Sequence, residues 1–138
     1  MNLLVALDAS PRAAHVLETA VSLAKGMGAR LVLFRAVGVP TEVPPEAYGV
    51  TPDALAALLQ QKARADLETR ARGVPADLLA GIEVVLGTPW RSITEAAHAR
   101  GCQTIVLGSH GYGAIDHLLG TTAAKVVNHA ACSVFVVR

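Results

Sequence analysis

The stretch Gln103-Thr104-Ile105-Val106-Leu107-Gly108-Ser109-His110-Gly111 joins an apolar run to a turn that holds two glycines. An apolar run that ends at glycine is typical of a buried strand followed by a tight turn. Further along, Gly120-Thr121-Thr122 opens an amphipathic stretch to Ala131, which predicts a helix that begins there. The first N–H groups of a helix have no internal acceptor and lie at the positive end of the helix dipole. The sequence therefore predicts a phosphate-binding site between this strand and this helix.

Strand-like and helix-like segments alternate along the rest of the chain. Short apolar runs predict strands, whereas apolar residues that recur every three or four positions predict helices. Ser10-Pro11 is predicted to be an N-cap followed by proline at the first helical position, and Thr51-Pro52 and Thr88-Pro89 are predicted to start two further helices. The second helix is expected to turn four leucines inward, namely Leu55, Leu58, Leu59 and Leu67. The predicted strands are 2–7, 30–37, 81–86, 103–107 and 133–137, and the predicted helices are 10–27, 51–72, 88–101 and 120–131.

This alternation predicts an α/β fold, with an open five-stranded parallel sheet covered by helices on both faces. Parallel strands need right-handed crossovers, and few strand orders satisfy that rule. The doubly wound order 3-2-1-4-5 brings the first and fourth strands together at the switch point, where such sheets bind ligands. Asp8 follows the first strand and the Gly108 turn follows the fourth, so we expect both of them at one crevice.

The length and charge of the chain narrow the classes of function. Its 138 residues are expected to form one domain, residues 1–138. The formal net charge of +1 gives no broad basic field, which indicates that neither nucleic acid nor an acidic membrane surface is a partner. No apolar run approaches the roughly 18 residues of a membrane span, and the chain does not open with a signal peptide pattern. We therefore expect a cytoplasmic protein that binds a small ligand.

Cys102 and Cys132 each come directly before a predicted strand. In a cytoplasmic protein, cysteines are usually reduced core residues rather than a disulfide. If the fourth and fifth strands are neighbours, the two thiols are expected to lie close together.

Four segments, taken in order, resemble the universal stress protein family over essentially the whole chain. The first strand ends in Leu7-Asp8-Ala9-Ser10, and Gly87-Thr88-Pro89 follows the third strand. The glycine turn that starts at Gly108 follows the fourth strand, and the chain closes on Val134-Phe135-Val136-Val137-Arg138. Each segment alone is a weak signal, whereas the four together are specific. The resemblance implies a Rossmann-like fold similar to that of the adenine nucleotide alpha-hydrolases.

The nucleotide-binding branch of that family carries a motif of G-x-x-G, nine residues, then G followed by Ser or Thr. Here the spacer, residues 112–119, holds eight residues. That branch binds ATP or AMP, so the resemblance implies the same ligands for this chain, with or without Mg²⁺. It implies that Asp8 lies by the adenosine, that Ala36 lines the adenine pocket and that Gly108 lies near the ribose. The resemblance also implies that four residues lie around the phosphates, namely Gly111, Gly120, Thr121 and Thr122.

The chemistry of these residues agrees with that assignment. A carboxylate at Asp8 repels phosphates, so we expect it to accept from adenine or ribose donors or to hold a divalent cation. No Asp or Glu follows Thr122 in the first turn of the helix, which leaves the amides there open to an external anion. His110, inside the glycine turn, is a further candidate for a phosphate contact.

Signatures of catalysis and of metal binding are weak. A nucleophile elbow needs glycine two residues before the serine, and Leu107 holds that position before Ser109. The five histidines lack a ligand spacing such as H-E-x-x-H, and no lysine follows a glycine as in a Walker loop. Lys125 is expected to be solvated and Trp90 to be a packing residue. The sequence thus predicts no catalytic residues, no protein metal site and at most slow ATP hydrolysis.

The last strand, 133–137, is apolar and is expected at the edge of the sheet. An exposed edge is usually covered or paired, and pairing with a second copy gives the homodimer that the family resemblance also implies. The predicted function is a dimeric sensor or regulatory module that binds ATP or AMP. The eight-residue spacer favours an alternative, a dimeric stress module that holds no nucleotide and acts through protein contacts. A slow ATPase or adenylyl-transfer enzyme is the third alternative, for which no placed general base is visible.

Overall fold

The computed structural model describes residues 1–38, 49–110 and 119–138, in which five strands and four helices alternate. A short 3₁₀ helix, Ala76–Leu78, precedes the third strand. The strands are β1 (Asn2–Ala6), β2 (Arg30–Val37), β3 (Leu79–Leu86), β4 (Thr104–Gly108) and β5 (Ser133–Val137). The helices are α1 (Ala13–Met27), α2 (Pro52–Ala71), α3 (Pro89–Ala99) and α4 (Thr121–His129).

All four strand pairings are parallel, and the strand order is β3-β2-β1-β4-β5. The central strand β1 pairs with β2 on one side, Val5 opposite Leu33, and with β4 on the other, Val5 opposite Val106. The α/β fold and the order 3-2-1-4-5 are thereby confirmed. The switch point lies between β1 and β4, as the sequence predicted.

Two apolar cores cover the two faces of the sheet. Because side chains alternate between the faces of a strand, Leu31 and Leu33 of β2 belong to the core on one face, whereas Val32 and Phe34 belong to the core on the other. Helices α1 and α2 contribute to the first core, and α3 and α4 contribute to the second. Both cores reach the central strands, so the carboxyl ends of these strands are held in fixed positions.

Helix α1 begins at Ala13, so the prediction that Ser10 caps it and Pro11 is its first residue is wrong. The backbone N–H of Ser10 donates to the Oδ1 of Asp8 at 2.9 Å, which folds residues 8–10 into a turn. A second turn follows, in which Ala13 N–H donates to the Ser10 carbonyl at 3.2 Å. A side chain that bonds its own backbone two residues on competes with helix formation, which explains the later start.

Helix α2 begins at Pro52, as predicted, and the Thr51 hydroxyl caps it by accepting from the Ala54 N–H at 3.1 Å. However, not all of the leucines of α2 face the apolar core. Leu67 is fully buried, whereas Leu58 is 51% exposed, so the prediction for Leu58 is wrong. The buried residues of α2 are Ala63, Leu67 and Ala71, which recur every four positions and define a narrow apolar stripe that leaves Leu58 outside.

Cys102 and Cys132 are both free thiols. They come before β4 and β5, which pair with Thr104 opposite Ser133, and both contact the same apolar core. Burial raises the pKa of both thiols, and at Cys102 the neighbouring Cys132 raises it further while Arg100 opposes the increase. Within the described residues, no helix is long and apolar enough to cross a membrane.

Candidate functional site

A crevice of about 540 Å³ opens at the carboxyl ends of β1, β2 and β4. Ligand sites in proteins commonly measure about 300–1,000 Å³, so a small molecule fits this volume. The first turns of α1 and α4 and the start of α3 close its sides. The described site residues Asp8, Ala36, Gly108, His110, Gly120, Thr121 and Thr122 all line this crevice, whereas Gly111 lies outside the described residues.

Asp8 stands at the exposed rim of the crevice, two residues beyond the end of β1. Its Oδ1 accepts the Ser10 N–H, which fixes the carboxylate against the turn that leads into α1. Ala36 faces the crevice from the neighbouring strand β2. The two residues therefore line the same crevice although 28 positions separate them.

Gly108 ends β4 beneath the crevice and cannot carry a larger side chain without adjustment. A Cβ built there would lie 3.2 Å from the Cγ2 of Val16 on α1, which is tighter than ordinary contact. The glycine therefore lets α1 approach the end of β4 closely. This close approach brings the first turn of α1 onto the crevice.

Ser109 and His110 form a polar pair next to Gly108. Ser109 is buried, its N–H donates to the Val137 carbonyl of β5 at 2.8 Å, and its Oγ lies 3.0 Å from the Nδ1 of His110. Within the described ranges, the buried Nε2 of His110 has no hydrogen-bond partner. The buried Oγ of Ser10 likewise has none among those residues. Buried polar atoms are rarely left unpaired, so these two atoms mark the crevice as a place where a polar ligand fits.

Gly120 precedes α4 and packs directly on the turn after β4. Its N–H donates to the Ser109 carbonyl at 2.7 Å, so this amide is not available to an anion. A Cβ at Gly120 would lie 3.0 Å from the same carbonyl oxygen. Gly120 thus positions α4 through close contact rather than through a free amide.

The N-terminus of α4 lies at the place where the sequence predicted an anion site. The first intrahelical bond runs from the Ala124 N–H to the Gly120 carbonyl, so the amides of Thr121, Thr122 and Ala123 precede it and have no helical acceptor. No side chain of the described chain caps this end, and no acidic residue lies in its first turn. Three amides and the positive end of the helix dipole therefore face the crevice.

Three further residues shape the crevice although sequence reasoning did not single them out. Ser10 was read as a helix cap, and Arg12 and Arg35 carried no motif. Arg12 lines the crevice, is exposed, and has no ion-pair partner within residues 1–38, 49–110 and 119–138. It therefore adds a positive charge to the lining of the crevice. The sequence contained one signal for this residue, an arginine in the segment that joins β1 to α1 at the carboxyl edge of the sheet.

Arg35 lies beneath the adenosine end implied by the resemblance. Its Nε donates to the Leu7 carbonyl at 2.7 Å, and its Nη2 donates to the Asp8 carbonyl at 3.0 Å and to the Oδ2 of Asp66 at 2.5 Å. The same Oδ2 accepts the Nε of Arg70 at 3.1 Å. Burial of Asp66 acts to raise its pKa, but the hydrogen bonds and charges of Arg35 and Arg70 outweigh this effect and hold the pKa below its ordinary value.

Trp90 and Lys125 contact each other away from the crevice lining. The indole of Trp90 stacks on His129 with ring centroids 4.5 Å apart, and the Nζ of Lys125 lies 5.9 Å from the centre of the indole. The packing role predicted for Trp90 is confirmed. Lys125 is exposed, as predicted, and directs its charge to this ring.

These features define the class of open, doubly wound α/β proteins with a ligand-sized crevice at the switch point of the sheet. A model of the universal stress protein family matches residues 1–138. The chain belongs to the universal stress protein family.

Relatives and solved structures agree with that membership. The universal stress protein Sll1388 of Synechocystis is 29% identical over 149 residues, which cover 99% of this chain and 97% of that protein. A universal stress protein of Thermus aquaticus is 31% identical over 145 residues, which cover 99% and 98%. Among solved structures, the universal stress protein UspA of Lactobacillus plantarum superposes with a TM-score of 0.82 at 27% identity, covering 100% of this chain and 97% of that one.

Two other solved universal stress proteins contain a nucleotide. One, in complex with cAMP, superposes with a TM-score of 0.67 at 22% identity and covers 100% of this chain and 97% of its own. The other, from Archaeoglobus fulgidus and in complex with dAMP, superposes with a TM-score of 0.63 at 20% identity and covers 100% and 98%. Their likeness to this chain is one of fold.

Proposed function

We propose that this universal stress protein binds an adenine nucleotide, ATP or AMP, in the crevice between β1 and β4. In this proposal it acts in the cytoplasm as a homodimeric sensor or regulatory module. The observation that carries the proposal is the set of open amides at Thr121, Thr122 and Ala123, which face a crevice of about 540 Å³. Two solved proteins of the same fold hold cAMP and dAMP, which supports an adenine nucleotide as the ligand class.

The charges in the crevice fit a nucleotide in one orientation. The phosphates lie against the first turn of α4, which has open amides and no acidic residue. The adenosine lies towards Asp8 and Ala36, because the carboxylate of Asp8 accepts from hydroxyl or amino groups and repels phosphate oxygens. The Ser10 Oγ and the His110 Nε2, which have no hydrogen-bond partner in the part of the chain that the structure describes, supply further polar contacts.

In this proposal, a Mg²⁺ ion binds in the crevice only together with the nucleotide. Within the described parts of the chain, no group of three His, Cys, Asp or Glu side chains is placed to hold a metal ion. Mg²⁺ commonly binds through one or two carboxylates together with substrate phosphates and water. Asp8 is an acidic side chain on the crevice lining, but in this orientation it lies at the adenosine end, so we propose that the phosphates and water hold such an ion without a protein ligand.

We further propose that the protein is a binding module and not an efficient enzyme. Ser109 is buried, and Leu107 rather than glycine stands two residues before it, so it lacks the exposed turn of a nucleophile elbow. The eight-residue spacer of 112–119 favours the second candidate, a dimeric module that acts through protein contacts without nucleotide. Multiple-turnover phosphate release that is lost in the Asp8→Asn variant would instead support an enzyme.

The proposal is tested on the purified protein. Denaturation should release an adenine nucleotide detectable by absorbance and mass, or calorimetry should show ATP or AMP binding. The absence of both would favour the module without nucleotide.

A variant with a matched control locates the phosphates. Thr121→Asp places a carboxylate in the first turn of α4, where it stabilises the helix and repels phosphate. We expect affinity for ATP to fall about tenfold or more, which corresponds to about 1.4 kcal/mol. Ala54→Asp places the same charge in the first turn of α2, away from the crevice, and should leave ATP affinity unchanged. Equal affinities in the two variants would mean that the phosphates do not bind at α4.

A further inference from the structure

Arg35 stands where the strand pattern calls for an aliphatic residue. Leu31, Leu33 and Arg35 share one face of β2, and the two leucines belong to the apolar core there. The side chain of Arg35 is only 10% exposed. A buried charge is costly unless it is paired and hydrogen-bonded. Replacing a buried ion pair with apolar residues of similar size often leaves a protein equally stable. Fold stability alone therefore does not explain an arginine at this position.

The guanidinium of Arg35 contacts the backbone at the point where β1 stops pairing. β1 ends at Ala6, and Leu7 keeps one further bond, from its N–H to the Phe34 carbonyl at 2.9 Å. The next two carbonyls, of Leu7 and Asp8, accept from the guanidinium of Arg35 instead of from a strand. The rigid fork of donors in a guanidinium suits two successive carbonyls, whereas an ammonium group does not.

Asp66 of α2 holds the guanidinium in turn. Its carboxylate accepts from Arg35 and from Arg70 one turn later on α2, so α2 is tied to the end of β1 through these side chains. A continuous set of hydrogen bonds thus runs from α2 through Arg35 to the backbone of Asp8. That backbone carries the carboxylate placed at the adenosine end of the crevice.

We propose that Arg35 is a positioning residue for the adenosine end of the crevice, with Asp66 holding it from α2. This inference rests on the proposed function, because it assigns a role in nucleotide affinity. Arg35 fixes the carbonyls of Leu7 and Asp8, and thereby fixes the direction of the Asp8 carboxylate. Loss of Arg35 therefore weakens contacts to the nucleoside and spares the phosphate site at α4.

Two probes separate positioning from a general loss of structure. Adenosine contacts the nucleoside end alone, and inorganic tripolyphosphate contacts the amides of α4 alone. For Arg35→Met we expect adenosine affinity to fall at least tenfold and tripolyphosphate affinity to change less than twofold. Arg35→Lys should recover part of the loss. Equal losses for both probes, or no loss for adenosine, would overturn the inference.

Asp66→Asn and Arg64→Met are the companion variants. Asp66→Asn keeps the carbonyl contacts of Arg35 and removes the ion pair, so adenosine affinity should fall severalfold even if Arg35→Met does not fold. Arg64→Met breaks the exposed Arg64–Glu68 pair on the same helix and should leave both affinities unchanged. A loss in Arg64→Met equal to that in Asp66→Asn would contradict the assignment.

Amide hydrogen exchange in the free protein gives a readout that does not depend on a ligand. The Ser10 N–H, which donates to the Asp8 Oδ1, should exchange at least tenfold faster in Asp66→Asn or Arg35→Met than in the parent protein. Unchanged exchange would overturn the inference even in a protein that binds no nucleotide. Failure of the parent protein to bind adenosine or ATP, with faster exchange in the variants, would instead overturn the proposed function, while Arg35 would still be shown to position the Asp8 carboxylate.

Discussion

The N–H of Gly120 donates to the carbonyl of Ser109 at 2.7 Å, and this bond ties the start of α4 to the turn after β4. The contact is so close that a Cβ at Gly120 would lie 3.0 Å from the same carbonyl oxygen. The position of the α4 amides in the crevice therefore depends on a glycine whose φ of −61° is open to any residue. What requires glycine here is the approach of two backbones, not an unusual conformation.

Gly120→Ala should displace the start of α4 because the Ser109 carbonyl belongs to the backbone and cannot rotate away. We expect a loss of about 1–3 kcal/mol in the free energy of unfolding, which is typical of overpacking, and weaker ATP binding. Denaturant unfolding and calorimetry measure the two effects. Gly26→Ala is the control, because nothing lies within 4 Å of a Cβ at Gly26 in the last turn of α1. It should raise stability by about 0.5–1 kcal/mol and leave binding unchanged.

Local patterns predicted most of the fold because each element carries its own signal. The apolar run before Gly108 and the Thr-Pro pairs at Thr51 and Thr88 mark a strand and two helix starts directly. Once the elements were known, crossover rules predicted the strand order. The same reasoning gave a wrong helix start at residues 8–10. Ser10-Pro11 has the composition of a helix start, but the Asp8 carboxylate accepts the Ser10 N–H and delays the helix to Ala13.

The contacts of Arg35 could not be predicted from the sequence, for a different reason. Its partners lie 27 to 31 positions away, at Leu7, Asp8 and Asp66, and no spacing rule links them. The exposed position of Leu58 has a similar cause. Periodicity predicts that α2 has an apolar face, but only the packing of α2 against the sheet decides which leucines that face includes.

Leu67 and Leu58 of α2 should respond differently to the same substitution. Leu67 is fully buried, so Leu67→Ala should cost about 2–5 kcal/mol in the free energy of unfolding, through lost burial and the cavity left behind. Leu58 is 51% exposed, and Leu58→Ala should cost about 0.5 kcal/mol or less. Denaturant unfolding of the two variants measures the difference. Similar losses would mean that α2 packs with a face other than the one described.

The ion pair of Asp66 should make part of the stability depend on pH. Its pKa is lowered in the folded protein, from an ordinary value of 3.8. The stability that it contributes is therefore fully present above pH 3.8 and is lost as the pH falls through the lower folded pKa. At pH 7 we expect Asp66→Asn to have a lower free energy of unfolding than the parent protein. The loss should lie between the ~1 kcal/mol typical of an exposed ion pair and the ~3–5 kcal/mol typical of a buried one.

Denaturant unfolding between pH 7 and about pH 3 tests this dependence. The difference between the parent protein and Asp66→Asn should stay constant in the neutral range and shrink below pH 3.8. Glu68→Gln removes the exposed partner of Arg64 on the same helix and should change stability by about 0.5 kcal/mol or less. A difference for Asp66→Asn that is as large at pH 3 as at pH 7 would show that protonation of this carboxylate is not involved.

The proposed homodimer depends on β5, which forms one edge of the sheet. Phe135 is 42% exposed on this strand, and an apolar edge is prone to pair with another copy unless a charge blocks it. Phe135→Lys should therefore convert a dimer into a monomer, as measured by size-exclusion chromatography with light scattering. Val127→Lys is the control, because Val127 is 46% exposed on α4 and lies outside the edge strand. The Val127→Lys variant should remain dimeric.

Two outcomes would contradict this prediction. A monomeric parent protein would contradict the dimer, and a dimer that persists in Phe135→Lys would place the interface away from Phe135.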